Sequence, residues 1–194
     1  MLKSLWKSLK ILFVFSILTG IIYPFFMTLV GQILFPFEAN GSILIVDGKS
    51  KGSVLIGQKF TKDFYFQGRP SVVDYDASAS GASNFGPTSA KFKSAVIERI
   101  AVLQRNNPSL ADKEIPGDLV LMSASGLDPD ISLESAQLQA PRVALARKFA
   151  VKEVLELISS CAQGQQFGFL GSPRINVLKL NMALDSLKGI NYGR

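Results

Sequence analysis

Between Lys10 and Glu38 the chain carries no charge: residues 11–37 read ILFVFSILTGIIYPFFMTLVGQILFPF. An α-helix rises about 1.5 Å per residue, and a bilayer's hydrocarbon core is about 30 Å thick, so roughly 20 apolar residues cross it. The run exceeds that length, and the expectation is one transmembrane helix over 11–37. A cleaved signal peptide has a shorter apolar centre followed by a small-x-small site, whereas this run closes on Phe35, Pro36, Phe37 and Glu38. A buried helix of a soluble domain would show a polar face, and none is present. Gly20 and Pro24 weaken a helix in water, but no water competes for the freed carbonyl in lipid, so a kink near Pro24 is expected rather than a break.

Lys3, Lys7 and Lys10 lie on the N-terminal flank, and Glu38 is the first charge beyond the run. The positive-inside rule then makes residues 1–10 a short basic cytoplasmic flank and puts residues 38–194 outside the cytoplasm, because no second comparable run follows. That remainder has the size of one domain able to bury its own core.

The net charge of +6 rests on 21 basic and 15 acidic residues. Without the three flanking lysines, 18 basic residues face those 15 and are scattered, which is no footprint for nucleic acid. Cys161 is the only cysteine, so no internal disulfide forms. Histidine is absent, which removes His-based acid/base catalysis, Ser-His triads and the usual zinc sites.

Past the apolar run, the apolar segments 42–47 and 53–57 flank Gly48–Gly52 and predict a β-hairpin. The Gly-Lys-Ser in that turn is no phosphate loop, since Ile43 stands where the motif needs its first glycine. The aromatics from Phe60 to Phe66 read as core, and Gln67–Ser71 as an extended turn leading to a Ser/Gly-rich loop over 75–89. Thr88 or Ser89 caps a helix whose stripe of Phe92, Val96, Ile100 and Leu103 is expected in the core. Leu119–Met122 is a strand candidate, followed by a tight Asp-Pro loop over 123–132. Ser132 caps the next helix, with a break or a kink expected near Ala140 ahead of Pro141 and a restart over Arg142–Arg147. Val151–Ile158 is amphipathic through Val151, Val154, Leu155 and Ile158. Ile175–Leu180 is read as a strand and Asn181–Leu187 as a last helix. Strands and helices mix without a βαβ rhythm, so the fold class is α+β, one extracytoplasmic domain behind one N-terminal membrane helix.

For chemistry, Asp128 and Asp130 are a close carboxylate pair, yet Asp-Pro-Asp before a helix reads first as a structural turn. Ser123 and Ser125 have no histidine partner, and no lysine sits in a recognisable serine–lysine motif. The residues alone describe an anchored external domain made for interaction; the alternative is a stand-alone anchored periplasmic enzyme or solute-binding domain.

LIGQ (55–58), FQGRPS (66–71), SGASNFGPT (80–88), SASGLDPDIS (123–132), PRVALAR (141–147) and FLGSPRINVLKLNMALDSL (169–187) follow one membrane span in this order. The conjunction resembles the C subunit of the Kdp-type potassium-transporting P-type ATPases along essentially the whole chain. GPTS and SASG depart from the commoner forms, which have Asn after GPT and SGSG. The resemblance implies a non-catalytic accessory subunit of a bacterial inner-membrane complex that imports potassium, its transported ion, at the expense of ATP. Implied partners are a channel-like potassium-translocating subunit, a P-type ATPase subunit, a small single-span subunit and the surrounding lipid. A catalytic-chaperone role that raises ATP affinity through nucleotide binding has been proposed for the family. The topology disfavours direct nucleotide binding, because the domain faces a compartment without ATP, and no directly bound cofactor or metal is expected.

A periplasmic cap steadying the channel-like subunit near its ion entrance fits better. Under it the partner-facing surface comprises Gln67, Arg69, Pro70, Ser80, Gly81, Asn84, Gly86, Pro87, Ser125, Gly126, Asp128, Pro129 and Asp130. Arg142 and Arg147 brace the fold, with Arg142 alternatively pairing with Asp128 or Asp130. Gly20, Pro24 and Gly31 pack the span against the larger subunits.

Overall fold

The computed structural model describes residues 2–107, 110 and 113–187. It is a mixed helix and sheet structure in two compact units, one running to Ser53 and one starting at Val54.

The first unit is built on a single helix, Leu2–Leu34, long and apolar enough to cross a membrane. It consists of α1 (Leu2–Ile17), a π-helical turn (Leu18–Ile22) and α2 (Tyr23–Leu34). Pro24 has no N–H, and its ring would strike the carbonyl four residues earlier in a regular helix. The chain answers by widening rather than breaking: Tyr23 N–H reaches the carbonyl of Leu18, five residues back, and Gly20 lies inside the widened turn. Thr19 and Thr28 hydroxyls fold back onto the carbonyls of Phe15 and Pro24, at 2.7 and 2.8 Å, so these two polar groups are met within the helix. After the short α3 (Pro36–Ala39), the Asn40 amide donates to the Gln32 amide at 3.2 Å.

β1 (Ile43–Val46) and β2 (Lys49–Ser53) then pair antiparallel. The hairpin is there, but its turn is Asp47-Gly48 and not residues 48–52. Asp47 at φ 52 and Gly48 at φ 70 supply the left-handed pair that a two-residue hairpin needs, so the return strand is the polar KSKGS.

The second unit packs helices around two short strands. β3 (Asp130–Ser132) pairs antiparallel with β4 (Arg174–Asn176), Ile131 opposite Ile175. Against them lie α6 (Leu133–Arg147), α7 (Val151–Cys161) and α8 (Val177–Ser186). α6 turns Ala136, Ala140, Val143 and Ala144 inward at helical spacing, and these small residues let α7 and α8 bring Val154, Ile158, Leu180 and Leu184 close. Phe66 is 0% exposed and fills the centre.

Several expectations are corrected. α6 runs unbroken through Pro141; the carbonyl deprived of its partner belongs to Gln137, which is exposed and open to water. Leu119 and Val120 are buried as expected of core residues, but in a single helical turn, α5 (Gly117–Val120), rather than a strand. The last strand stops at Asn176, whose side chain accepts from Lys179 N–H at 3.1 Å and so starts α8 at Val177. α4 (Ala90–Asn106) forms, but its stripe is only half buried and no residue of the helix is fully buried. On α7, Val154 and Ile158 are buried, while Val151 and Leu155 stay 43% and 36% exposed.

Phe66→Ala is expected to cost about 3–5 kcal/mol of stability, because it opens a cavity at the point where three helices meet. Val102→Ala, on the exposed side of α4, should stay within about 0.5 kcal/mol. Denaturant unfolding of the detergent-solubilised chain measures both.

Candidate functional site

The motif residues fall into two assemblies built on one segment, residues 63–71. After a turn in which Tyr65 N–H donates to Lys62 C=O at 3.0 Å, the chain passes through Phe66 and Gln67 without joining a strand, so its backbone groups need other partners. Side chains from the helices supply them. The Asn181 amide accepts from Phe66 N–H at 2.8 Å and donates to Phe66 C=O at 2.9 Å, as a sheet neighbour would. Gln139 repeats the pattern one residue on, accepting from Gln67 N–H at 2.8 Å and donating to Gln67 C=O at 3.1 Å.

The carbonyls before them are taken by arginines: Arg142 donates to Asp63 and to Tyr65, the latter at 3.1 Å, and Arg147 donates to Phe64 at 2.8 Å. Arg147 is itself buried, paired with Asp185 at 2.6 Å and stacked 5.3 and 5.0 Å from the rings of Phe64 and Tyr65. Arg142 also donates to Gln139 Oε1 at 2.8 Å. It therefore pairs with neither Asp128 nor Asp130. Those carboxylates are claimed by arginines that lie closer, Arg69 at 2.8 Å and Arg174 at 3.1 Å.

The second assembly is the crossing of segment 69–81 with the loop 123–130. Ser71 Oγ donates to Gly126 C=O at 2.7 Å and accepts from Tyr75 N–H at 3.0 Å. Gly81 N–H and Ser80 Oγ both donate to Ser125 C=O, at 3.0 and 3.2 Å, and Ser123 N–H donates to Pro70 C=O at 3.3 Å. Gly126 sits at φ 70, and a Cβ there would lie 2.7 Å from Val73 Cγ2. Gly57 is pressed as closely from the other side: its N–H donates to Leu127 C=O at 2.7 Å, and a Cβ would stand 2.6 Å from Asp128 O.

Within the loop, Asp128 Oδ1 accepts from Asp130 N–H at 3.1 Å, the turn expected of Asp-Pro-Asp, and Pro129 C=O accepts from Val177 N–H at 3.0 Å. Arg69 also reaches Met122 C=O at 3.4 Å, while its Nε is buried without a partner among the described residues. The Tyr75 hydroxyl donates to Arg69 C=O, and burial, reinforced by the charges of Asp128 and Asp74, pushes its pKa up to about 12.

The structure thus gathers Arg69, Pro70, Ser80, Gly81, Ser125, Gly126, Asp128, Pro129 and Asp130 at one crossing, and sets Gln67, Arg142 and Arg147 in the brace beside it. Asn84, Gly86 and Pro87 stay apart on an exposed arm, with Asn84 at φ 51 and Phe85 41% exposed. Gly20, Pro24 and Gly31 belong to the first unit.

Sequence reasoning missed Asp118, whose carboxylate accepts from Ser132 N–H at 2.7 Å, from Ser132 Oγ at 3.2 Å and from the Ser135 hydroxyl, at the N-terminus of α6. It also missed Asn176, which donates to Val54 C=O at 2.8 Å and Asp130 Oδ1 at 3.2 Å. Burial pushes the Asp130 carboxyl up from its ordinary value, against the pull of Asn176 and Arg174. The cap position of Asn176 before a helix is legible in sequence; the long-range partners of Gln139, Asn181 and Asp118 leave no local signal.

Two hollows border the crossing. An open cleft of about 820 Å³ runs past Arg69, Asp118, Asp128, Asp130 and Arg174. A groove of about 580 Å³ lies along Gln67, Pro70, Tyr75, Arg99, Leu103 and Arg142. Chemically the crossing is a locked scaffold: Asp128 and Asp130 are each held by an arginine and a hydrogen bond, an arrangement that presents a shaped surface rather than a poised acid or base. Among the described residues no group of three or more His, Cys, Asp or Glu is placed to hold a metal ion.

Comparison with known proteins gives a consistent answer. The sequence model of the KdpC family, described as "K+-transporting ATPase, c chain", matches residues 5–186. A protein of Caldanaerobacter subterraneus subsp. tengcongensis named potassium-transporting ATPase KdpC subunit is 45% identical, covering 94% of this chain and 94% of its own length. The KdpC subunit of Mycobacterium bovis BCG is 47% identical over 96% of this chain and 100% of its own. That of Bradyrhizobium diazoefficiens is 45% identical over 95% and 98%.

Two outcomes test the geometry of the crossing. Gly57→Ala should destabilise the domain by about 1–3 kcal/mol, since a methyl group meets backbone that cannot step aside; the melting temperature reports it. The folded state holds the Tyr75 proton more tightly than the unfolded chain, whose tyrosines titrate near pH 10. Stability fully present below about pH 10 is therefore lost as the pH rises through about 12. Tyr75→Phe should flatten that alkaline loss in unfolding measured from pH 8 to 12.

Proposed function

The chain belongs to the KdpC family, and from that premise we propose that it is the non-catalytic accessory subunit of an ATP-driven potassium import complex in the bacterial inner membrane. The observation that carries the reading is the match along nearly the whole of both sequences, 94% of this chain and 94% of one relative. A single apolar helix ahead of a folded unit supports it, since that is the plan of a tethered accessory domain. In this reading the helix spans the bilayer with Lys3, Lys7 and Lys10 in the cytoplasm, and the domain stands outside.

The subunit's contribution is then mechanical. The span packs through Gly20, Pro24 and Gly31 against the channel-like and P-type ATPase subunits, with the small single-span subunit and lipid alongside. The external domain caps or steadies the channel-like subunit near its ion entrance, and the locked crossing around Arg69 and Asp128 supplies the rigid surface that such a contact needs. Any effect on the ATP affinity of the ATPase subunit travels through the assembly rather than through nucleotide bound to this domain, because ATP is confined to the other side of the membrane.

Pull-down of the tagged full-length chain from gently solubilised membranes tests the proposal. A P-type ATPase subunit and a channel-like potassium subunit should be recovered together with it. Recovery of the folded chain alone would instead favour a stand-alone periplasmic enzyme or solute-binding protein.

A further inference from the structure

The turn between α7 and β4 holds apolar side chains out in water. Phe167 is 87% exposed, Phe169 72% and Leu170 48%. The turn is nonetheless ordered. Gln163 and Arg174 exchange backbone hydrogen bonds of 2.8 and 3.0 Å, Gln166 and Leu170 exchange two of 2.9 Å, and Gln165 Nε2 donates to Gly171 C=O at 2.8 Å. Phe167 lies at φ 54, a left-handed conformation that bulky residues avoid. The fold thus spends strain and exposed aromatic area on one rigid tip, the form that an interface anchor takes.

The surroundings select the occupant. Residues 161–173 carry no charge. At the foot of the turn, Ser172, Pro173 and Arg174 form a wall of the open cleft, which among the described residues is lined by five acidic residues and by two basic ones, Arg69 and Arg174. An anionic bilayer would be repelled by that excess of negative charge, and a second copy would set like charge against like. An apolar socket rimmed by lysine or arginine on a protein fits both features.

We propose that Phe167, Phe169 and Leu170 are the anchor by which this domain plugs into an apolar, basic-rimmed socket on the extracytoplasmic face of the channel-like subunit. The inference rests on the accessory-subunit reading and adds the contact that makes it specific. The tip gives the buried centre of the interface, and the acidic cleft orients it.

The test uses the whole complex in native membranes, with photo-reactive benzoylphenylalanine in place of Phe167 and, as a control, of Leu145, which is 83% exposed on α6. Irradiation should join position 167, and not 145, to the channel-like subunit, with peptide mass spectrometry locating the product. The double variant Phe167→Ser, Phe169→Ser should lower co-purification of that subunit several-fold while the domain keeps its wild-type resistance to protease.

Cross-linking of position 167 to lipid, to a second copy or to nothing, in a wild-type complex that is recovered intact, overturns the anchor, as does equal cross-linking from position 145. A wild-type chain recovered without either large subunit overturns the accessory-subunit reading instead.

Discussion

The domain depends on side-chain amides taking the place of a missing strand. Phe66 and Gln67 run extended through the interior with no sheet beside them, and a buried peptide group without a partner costs about 1–3 kcal/mol. Asn181 and Gln139 each return a donor and an acceptor to one residue, so two polar side chains close four such deficits. Because Asn181 lies on α8 and Gln139 on α6, the same bonds lock the two helices to the segment and drive Phe66 into the space between them. Arg142 and Arg147 extend the arrangement backward to Asp63, Phe64 and Tyr65.

From that brace the chain leaves in a fixed direction, and the crossing follows. Arg69 meets Asp128, Ser71 meets Gly126, and Gly57 approaches the same loop with no room for a methyl group. The two strands of the β3–β4 pair then carry the order to Arg174, which holds Asp130, and onward to the tip at Phe167. Brace, crossing and tip are successive parts of one compact unit. A contact made on a face already ordered in this way loses little ordering entropy when it forms.

The long apolar helix solves its own problem separately. Pro24 removes a hydrogen bond that no water would replace inside a bilayer, and a π turn ending at Tyr23 reroutes the bond by one residue. The hydroxyls of Thr19 and Thr28 turn back onto carbonyls of the helix itself, so neither needs a partner outside it.

Where the physics is local, the sequence alone was enough. The length of the uncharged run determines a helix fit for a membrane, Ser132 determines a cap, Asp-Pro-Asp determines its turn, and the ordered motifs determine the family. The helix through Pro141, the helical turn at Gly117–Val120, the polar return strand of the hairpin and the half-buried α4 went otherwise than the pattern suggested. In each, packing or turn geometry outweighed propensity by amounts too small to read in a window of residues. The partners of Gln139, Asn181, Asp118 and Arg69 were settled only by the tertiary structure, because they lie 14 to 115 residues apart along the chain. A hydrogen bond between such residues exists only once the helices have docked, and nothing in either residue's own neighbourhood records its partner.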